Sequence, residues 1–213
     1  MKKSFLLLFF LALIISAGTT FGQKIKTGSI SDLKGQSAIN IQYDYSAMSV
    51  GKFDNEADYL KKGIADRNAK DPGTGEMWAE KWKAAKTEKY QPAFEEDFNK
   101  QSKDCGLSGV SDPSAKYTLV VHVTYVEQGV ETIVMGTAKT ASINLSVDLI
   151  ETATPGKVLA TILMESVKPK TSPSMSVGGV SVDKKAYDAT LRISECFESA
   201  GKQLGKFLCK QLK

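Results

Sequence analysis

Few residues in this chain are suited to chemistry. His122 is the only histidine, and the alternating run around it puts it on one side of a strand with Thr118 and Thr124. Asp44 and Asp148 fall at matching positions of two other strand-like runs, so pairing those strands would place a base beside carboxylates. Hydrolysis through His122 also needs a nucleophile exposed on an elbow or loop, and nothing in the sequence signals one. We therefore expect no enzyme and no catalytic residue, with a hydrolase built on His122 as an alternative. A second alternative is a small-molecule or glycan binder using the polar strand surface of Asn40, Asp44, His122, Asn144 and Asp148. Glu95, Glu96 and Asp97 are consecutive and splay around a helix rather than converge, so no metal site is expected. Gly178 and Gly179 lack the lysine and spacing of a phosphate loop, and no cofactor is expected.

The cysteines are Cys105, Cys196 and Cys209. An odd number allows at most one bridge within the chain. Cys196 and Cys209 lie in one predicted helix, separated by a rise of about 20 Å that no disulfide spans, so Cys105 must be a partner. Cys196 borders the helix's apolar stripe and Cys209 points away from it. The topology nevertheless puts Cys105 level with the foot of that helix, which favours Cys105 with Cys209. Three free thiols remain the alternative.

These residues need elements to position them. Ile39, Ile41, Tyr43 and Tyr45 alternate with Asn40, Gln42 and Asp44, the period-two pattern of a strand with one buried face. Residues 54–70, 76–89 and 92–103 are helical in pattern. Asp71, Pro72 and Gly73 break the first from the second, and Trp78 with Trp82 and Phe94 with Phe98 are spaced for a buried face. Residues 117–126, 140–150 and 158–167 are strands, with Pro155 and Gly156 turning the second of these into the third. Asp183 can cap a final helix whose Ile193, Phe197, Ala200, Leu204 and Leu208 form one stripe. Gly201 and Gly205 on that helix suit a close approach to a neighbour. Polar residues on the other strand faces, Asn40, Gln42 and Asp44 and then Ser142, Asn144, Ser146 and Asp148, imply helices on one side of the sheet only. The expected fold is an α+β two-layer sandwich, a four-stranded mostly antiparallel sheet in the order β-α-α-β-β-β-α with helices on one face.

The connections carry most of the functional expectation. Residues 46–53, 127–137 and 168–182 should emerge at one end of that sheet. They are longer than ordinary turns and hold isolated apolar residues: Met48 and Val50; Val130, Ile133, Val134 and Met135; Met175, Val177 and Val180. Long loops on a rigid scaffold often bind partners, and exposed Met and Val favour a protein or lipid surface.

Composition sets the class. The chain has 213 residues, 42% hydrophobic and 24% charged, with a formal net charge of +4. That excludes a collagen, a disordered polymer and a multi-span membrane protein, and is too weakly basic to imply nucleic acid. Residues 1–22 read as a signal peptide: Lys2 and Lys3, then an apolar run from Phe5 to Ile15, then small residues to Gly22. That run is too short to cross a bilayer. Residues 23–37 read as a flexible arm and residues 38–213 as a single domain. The product should be exported and soluble, periplasmic or secreted.

Several stretches resemble a known layout: Ala115, Lys116, Tyr117, Thr118, Leu119, Val120; Val147, Asp148, Leu149, Ile150, Glu151 with Gly156, Lys157, Val158, Leu159; and Ala200, Gly201, Lys202, Gln203, Leu204. They are similar to the envelope-protein superfamily of the curli-pore lipoprotein, the penicillin-binding-protein activator lipoproteins and the N-terminal domain of the Tol translocation protein. The resemblance covers residues 38–48 and 115–212. Residues 54–103 are longer than the family's usual crossover, Lys116 stands where the family has an acid, and the lipidation cysteine is absent, so anchoring and pore formation do not carry over. The resemblance implies a non-enzymatic accessory or binding domain of the bacterial envelope. The expected partner is an envelope protein or membrane surface, in an oligomeric state that the sequence leaves open.

Overall fold

A computed structural model of the chain describes residues 22–129, 139–170 and 188–213. Among them a mixed sheet carries the helices on one face. The long strands arise where the sequence alternates: β2 (Ala38–Asp44), β5 (Tyr117–Glu127), β6 (Ser142–Glu151) and β7 (Val158–Val167). β5, β6 and β7 form an antiparallel meander. β2 runs parallel to β5, with Asn40 opposite Thr118 and Asp44 opposite His122. A parallel pair requires a crossover, and the helical segment supplies it.

Three further strands correct the expectation of a four-stranded, mostly antiparallel sheet. β1 (Lys24–Gly28) pairs antiparallel with β7, β3 (Ser49–Val50) lies parallel to the end of β5, and β4 (Ser108–Val110) lies parallel to β2. The sheet is seven-stranded and mixed, in the order β1-β7-β6-β5-β2-β4 with β3 on β5. The expected flexible arm therefore contains the edge strand β1, and beyond it Ile30 and Leu33 are buried. β1 is hard to read because only Ile25 contacts the core. Its lysines suit an edge strand, where charge discourages pairing with other chains.

The crossover consists of α1 (Glu56–Asn68), α2 (Thr74–Ala85) and α3 (Gln91–Ser102), the last two joined by a π-helical turn at Lys86–Tyr90. Asn55 caps α1 by accepting from the Asp58 N–H at 2.8 Å. Asn68 closes the α1–α2 turn, its Oδ1 accepting from the N–H groups of Gly73 and Gly75. Gly73 has φ of 86°, a conformation glycine adopts without strain. Pro92 lies in the first turn of α3 and has no N–H to give the turn before it.

The closing helix, α4, spans Ala189–Leu212. Its cap is Asp188, which accepts from the Thr190 N–H at 2.8 Å. The predicted cap Asp183 lies outside the described residues. α3 and α4 approach closely: a Cβ at Gly201 would collide with the Phe94 carbonyl, and one at Gly205 would sit 2.7 Å from the Phe98 carbonyl oxygen. That contact buries Phe94 and Phe98 completely, beside Phe197, which stacks on Tyr90 at 5.1 Å. Trp82 is also buried, while Trp78 packs from the margin against Tyr59.

The expected disulfide is present between Cys105 and Cys209, with Cα atoms 5.3 Å apart, and Cys196 is a buried free thiol. Cys209 does point away from the stripe that faces the sheet, but that is not the helix's only buried line. Gly201, Gly205 and Cys209 are four residues apart and continue a second line, the one facing α3. Cys209 thus reaches the turn after α3 with the helix intact.

Candidate functional site

Along β5 the residues facing the helices are buried, and those of opposite parity, Val120, His122 and Thr124, are half-exposed. β6 repeats this with Ser142, Asn144, Ser146 and Asp148. One face of the sheet is therefore open and largely polar.

On that face the register brings together the three residues singled out by their chemistry. Asp44 is opposite His122 across the parallel pair, and Asp148 is its diagonal neighbour on β6. His122 Nδ1 lies 2.8 Å from Asp44 Oδ2, and Nε2 lies 3.4 Å from Asp148 Oδ2. The doubly protonated ring donates to both carboxylates, whereas the neutral ring donates to one. Asp44 is held down to about 2 by the backbone N–H of Ser46, then by the Ser46 side chain and by His122. Asp148 accepts a further bond from the Thr161 hydroxyl at 2.6 Å. Both ring nitrogens thus face carboxylates, and the hydroxyl that approaches Asp148 approaches its carboxylate rather than the ring.

The other two residues of the polar set do different work. Asn40 is 2% exposed and donates to Thr118 Oγ1 at 3.1 Å, so it is structural rather than accessible. Asn144 Oδ1 accepts from the Ser166 N–H at 2.7 Å. Ser166 has φ of 52°, unusual for a residue with a side chain, and the Asn144 amide holds it there at a bulge in the β6–β7 ladder.

At the end of the sheet where β5 finishes, several roots meet. Val50 pairs with Val126, Glu127 with Ser142, and Ile143 with Val167. Arg192 on α4 is buried and donates to the carbonyls of Gln128 and Gly129 at 3.0 and 3.2 Å. Glu127 is buried beside Lys139, with which it forms an ion pair. Burial pushes the Glu127 carboxyl up, but Lys139, the Gly129 N–H and the Tyr125 hydroxyl together bring it below its ordinary value. Met48 and Val50 do not belong to an exposed docking surface: they are 2% and 0% exposed, because β3 turns that segment into the core. Val130, Ile133, Val134, Met135, Met175, Val177 and Val180 lie outside the described residues.

Sequence reading missed one concavity altogether. A groove of about 450 Å³ opens between the end of β7 and α4, bordered by Lys168 and Lys170 on one side and Lys202 and Lys206 on the other. The i, i+4 spacing of Lys202 and Lys206 was the only signal for it, and on an amphipathic helix that spacing marks an ordinary solvent face.

The fold and open face define a one-sided α+β domain, and no helix among the described residues is long and apolar enough to cross a membrane. No protein-family model and no curated protein matches the chain. Among solved structures it is similar to the PelC dodecamer from Paraburkholderia phytofirmans in space group P6. The identity is 11% and the TM-score 0.31, over 83% of this chain and 96% of that one. A single-substitution variant of that dodecamer in space group C2 gives the same identity, TM-score and coverage.

Proposed function

We propose that this chain is an exported, non-enzymatic accessory or binding protein of the bacterial envelope, docking a macromolecular partner through the connections at the end of β5. The observation that carries this reading is the convergence of roots at that end. Arg192 ties the start of α4 to Gln128 and Gly129, the described residues that flank positions 130–138 and 171–187 in sequence. A rigid rim presenting long connections is a common arrangement for recognition. The Cys105–Cys209 bridge supports export, since such bonds persist in oxidising compartments. His122 supports a non-enzymatic role, because both nitrogens face carboxylates and, among the described residues, neither contacts a hydroxyl nucleophile.

The test is a photo-crosslinking residue at Val134, with adducts identified by mass spectrometry, followed by titration of the purified partner. Val134→Asp, Met135→Asp and Met175→Asp together should weaken that binding at least tenfold and leave the melting temperature unchanged. Unaltered binding refutes the rim as the docking surface.

The Asp44, His122 and Asp148 cluster favours a second reading, a small-molecule or glycan binder on the open sheet face. Every described helix lies against the opposite face, so no helical wall encloses this one, and enclosure is what tight small-ligand sites need. His122→Ala abolishes glycan binding under this reading and leaves the rim's partner bound under the first.

A further inference from the structure

The groove between β7 and α4 has an unusual charge balance. Four lysines border it, while its single carboxylate, Glu165, is turned to Lys24 at 3.8 Å. Among the described residues none of the ammonium groups of Lys168, Lys170, Lys202 and Lys206 has a carboxylate within ion-pair distance. Other lysines with few carboxylates nearby stand singly on the surface, whereas these four border one concavity. Like charges gathered in one concavity repel one another, and a bound anion relieves that repulsion.

The groove is shaped by the fold rather than by side chains alone. After the bulge at Ser166, with its positive φ and its bond to Asn144, Val167 rejoins the ladder opposite Ile143, and Lys168 and Lys170 follow beside α4. On α4, Lys202 and Lys206 are one turn apart, about 6 Å along the axis, on the side facing that segment. Ser199, 6% exposed, contributes a polar floor between the two pairs. Such local backbone strain is characteristic of binding sites.

We propose that this groove binds a small ligand carrying two or more clustered phosphate groups. Two phosphates bring roughly three to four negative charges, near the four positive charges present. The site holds no arginine, whose rigid fork matches planar carboxylates in two parallel bonds; lysines act as point charges that can settle around tetrahedral phosphate. A volume of about 450 Å³ accommodates a diphosphate or a phosphorylated headgroup, whereas a polymer would have to run beyond it. The phosphates come either from a soluble diphosphate or from a lipid headgroup.

The experiment uses the mature chain with pyrophosphate in titration calorimetry at moderate salt. In parallel, it measures flotation with phosphatidylinositol-bisphosphate vesicles against phosphatidylcholine vesicles. Lys202→Gln with Lys206→Gln is compared with Lys61→Gln with Lys81→Gln, a control pair of exposed lysines on α1 and α2. The expected result is binding that falls at least tenfold in the groove variant and is unchanged in the control, with melting temperatures alike. Pyrophosphate binding identifies a soluble source, and flotation with phosphatidylinositol-bisphosphate vesicles without it identifies a lipid. Equal losses in the two variants, or no binding to either probe, overturn the proposal.

Discussion

The Cys105–Cys209 bond makes a strong quantitative prediction, because it closes a loop across 104 residues of sequence. Replacing both with serine removes that constraint from the unfolded chain without leaving either bridging thiol unpaired. In the chain-entropy model a loop of this length corresponds to about 4.7 kcal/mol, and native bridges commonly realise about 2–4 kcal/mol. The folded state changes little, since Cys105 lies in the turn after α3 and α4 continues past Cys209 to Leu212. For a chain of this size the urea slope is about 2–3 kcal/mol per molar, so the midpoint should fall by about 0.7–2 M. The slope should also rise, because the unfolded chain loses its internal tether and exposes more surface. Thiol counting in denaturant provides the independent check: one reactive thiol per chain before reduction, from Cys196, and three after it. Three thiols before reduction, or a midpoint displaced by less than about 0.3 M, would refute both the bridge and the account of how α4 is held.

Two further perturbations test the packing and the open face. Gly201→Ala should destabilise by about 3 kcal/mol and Gly205→Ala by about 1–2 kcal/mol in urea melts, although alanine is the better helix former, because each methyl meets α3 backbone. A raised melting temperature for either would mean that α3 and α4 do not pack as described. Asp44 is held at about 2, below its ordinary value of 3.8, so its contribution is complete above about pH 4 and is lost as pH falls through 2. With the side chain 37% exposed, solvent screening reduces that contribution to about 1 kcal/mol. Asp44→Asn should remove it at neutral pH and flatten the stability profile between pH 4 and 2; a carboxyl titrating near 3.8 by NMR would contradict this.

What the sequence revealed depended on how periodic each segment was. β5, β6 and β7 alternate over ten or more residues, and α4 repeats its stripe over about four turns, so element type and buried face were both legible. Asp44, His122 and Asp148 could be placed together because each sits at a defined parity in a long strand. β3 and β4, of two and three residues, are too short to show a period, and β1 buries too little to show a face. Met48 and Val50 were misjudged for the same reason: as loop residues they should be exposed, but a two-residue strand draws them inward. The lysine groove lies just beyond a bulge at Ser166 that nothing in local composition announces, and it joins residues more than thirty positions apart.

The edge formed by β1 also bears on how the molecule is built. Lys24 pairs with Leu163, so β1 leaves the ribosome with no ladder partner until about three quarters of the chain has been made. Order of synthesis and order of zipping are therefore reversed at this margin. During the interval Lys24 and Lys26 keep an unfilled strand from recruiting strangers, and completion of the margin becomes a late event in maturation.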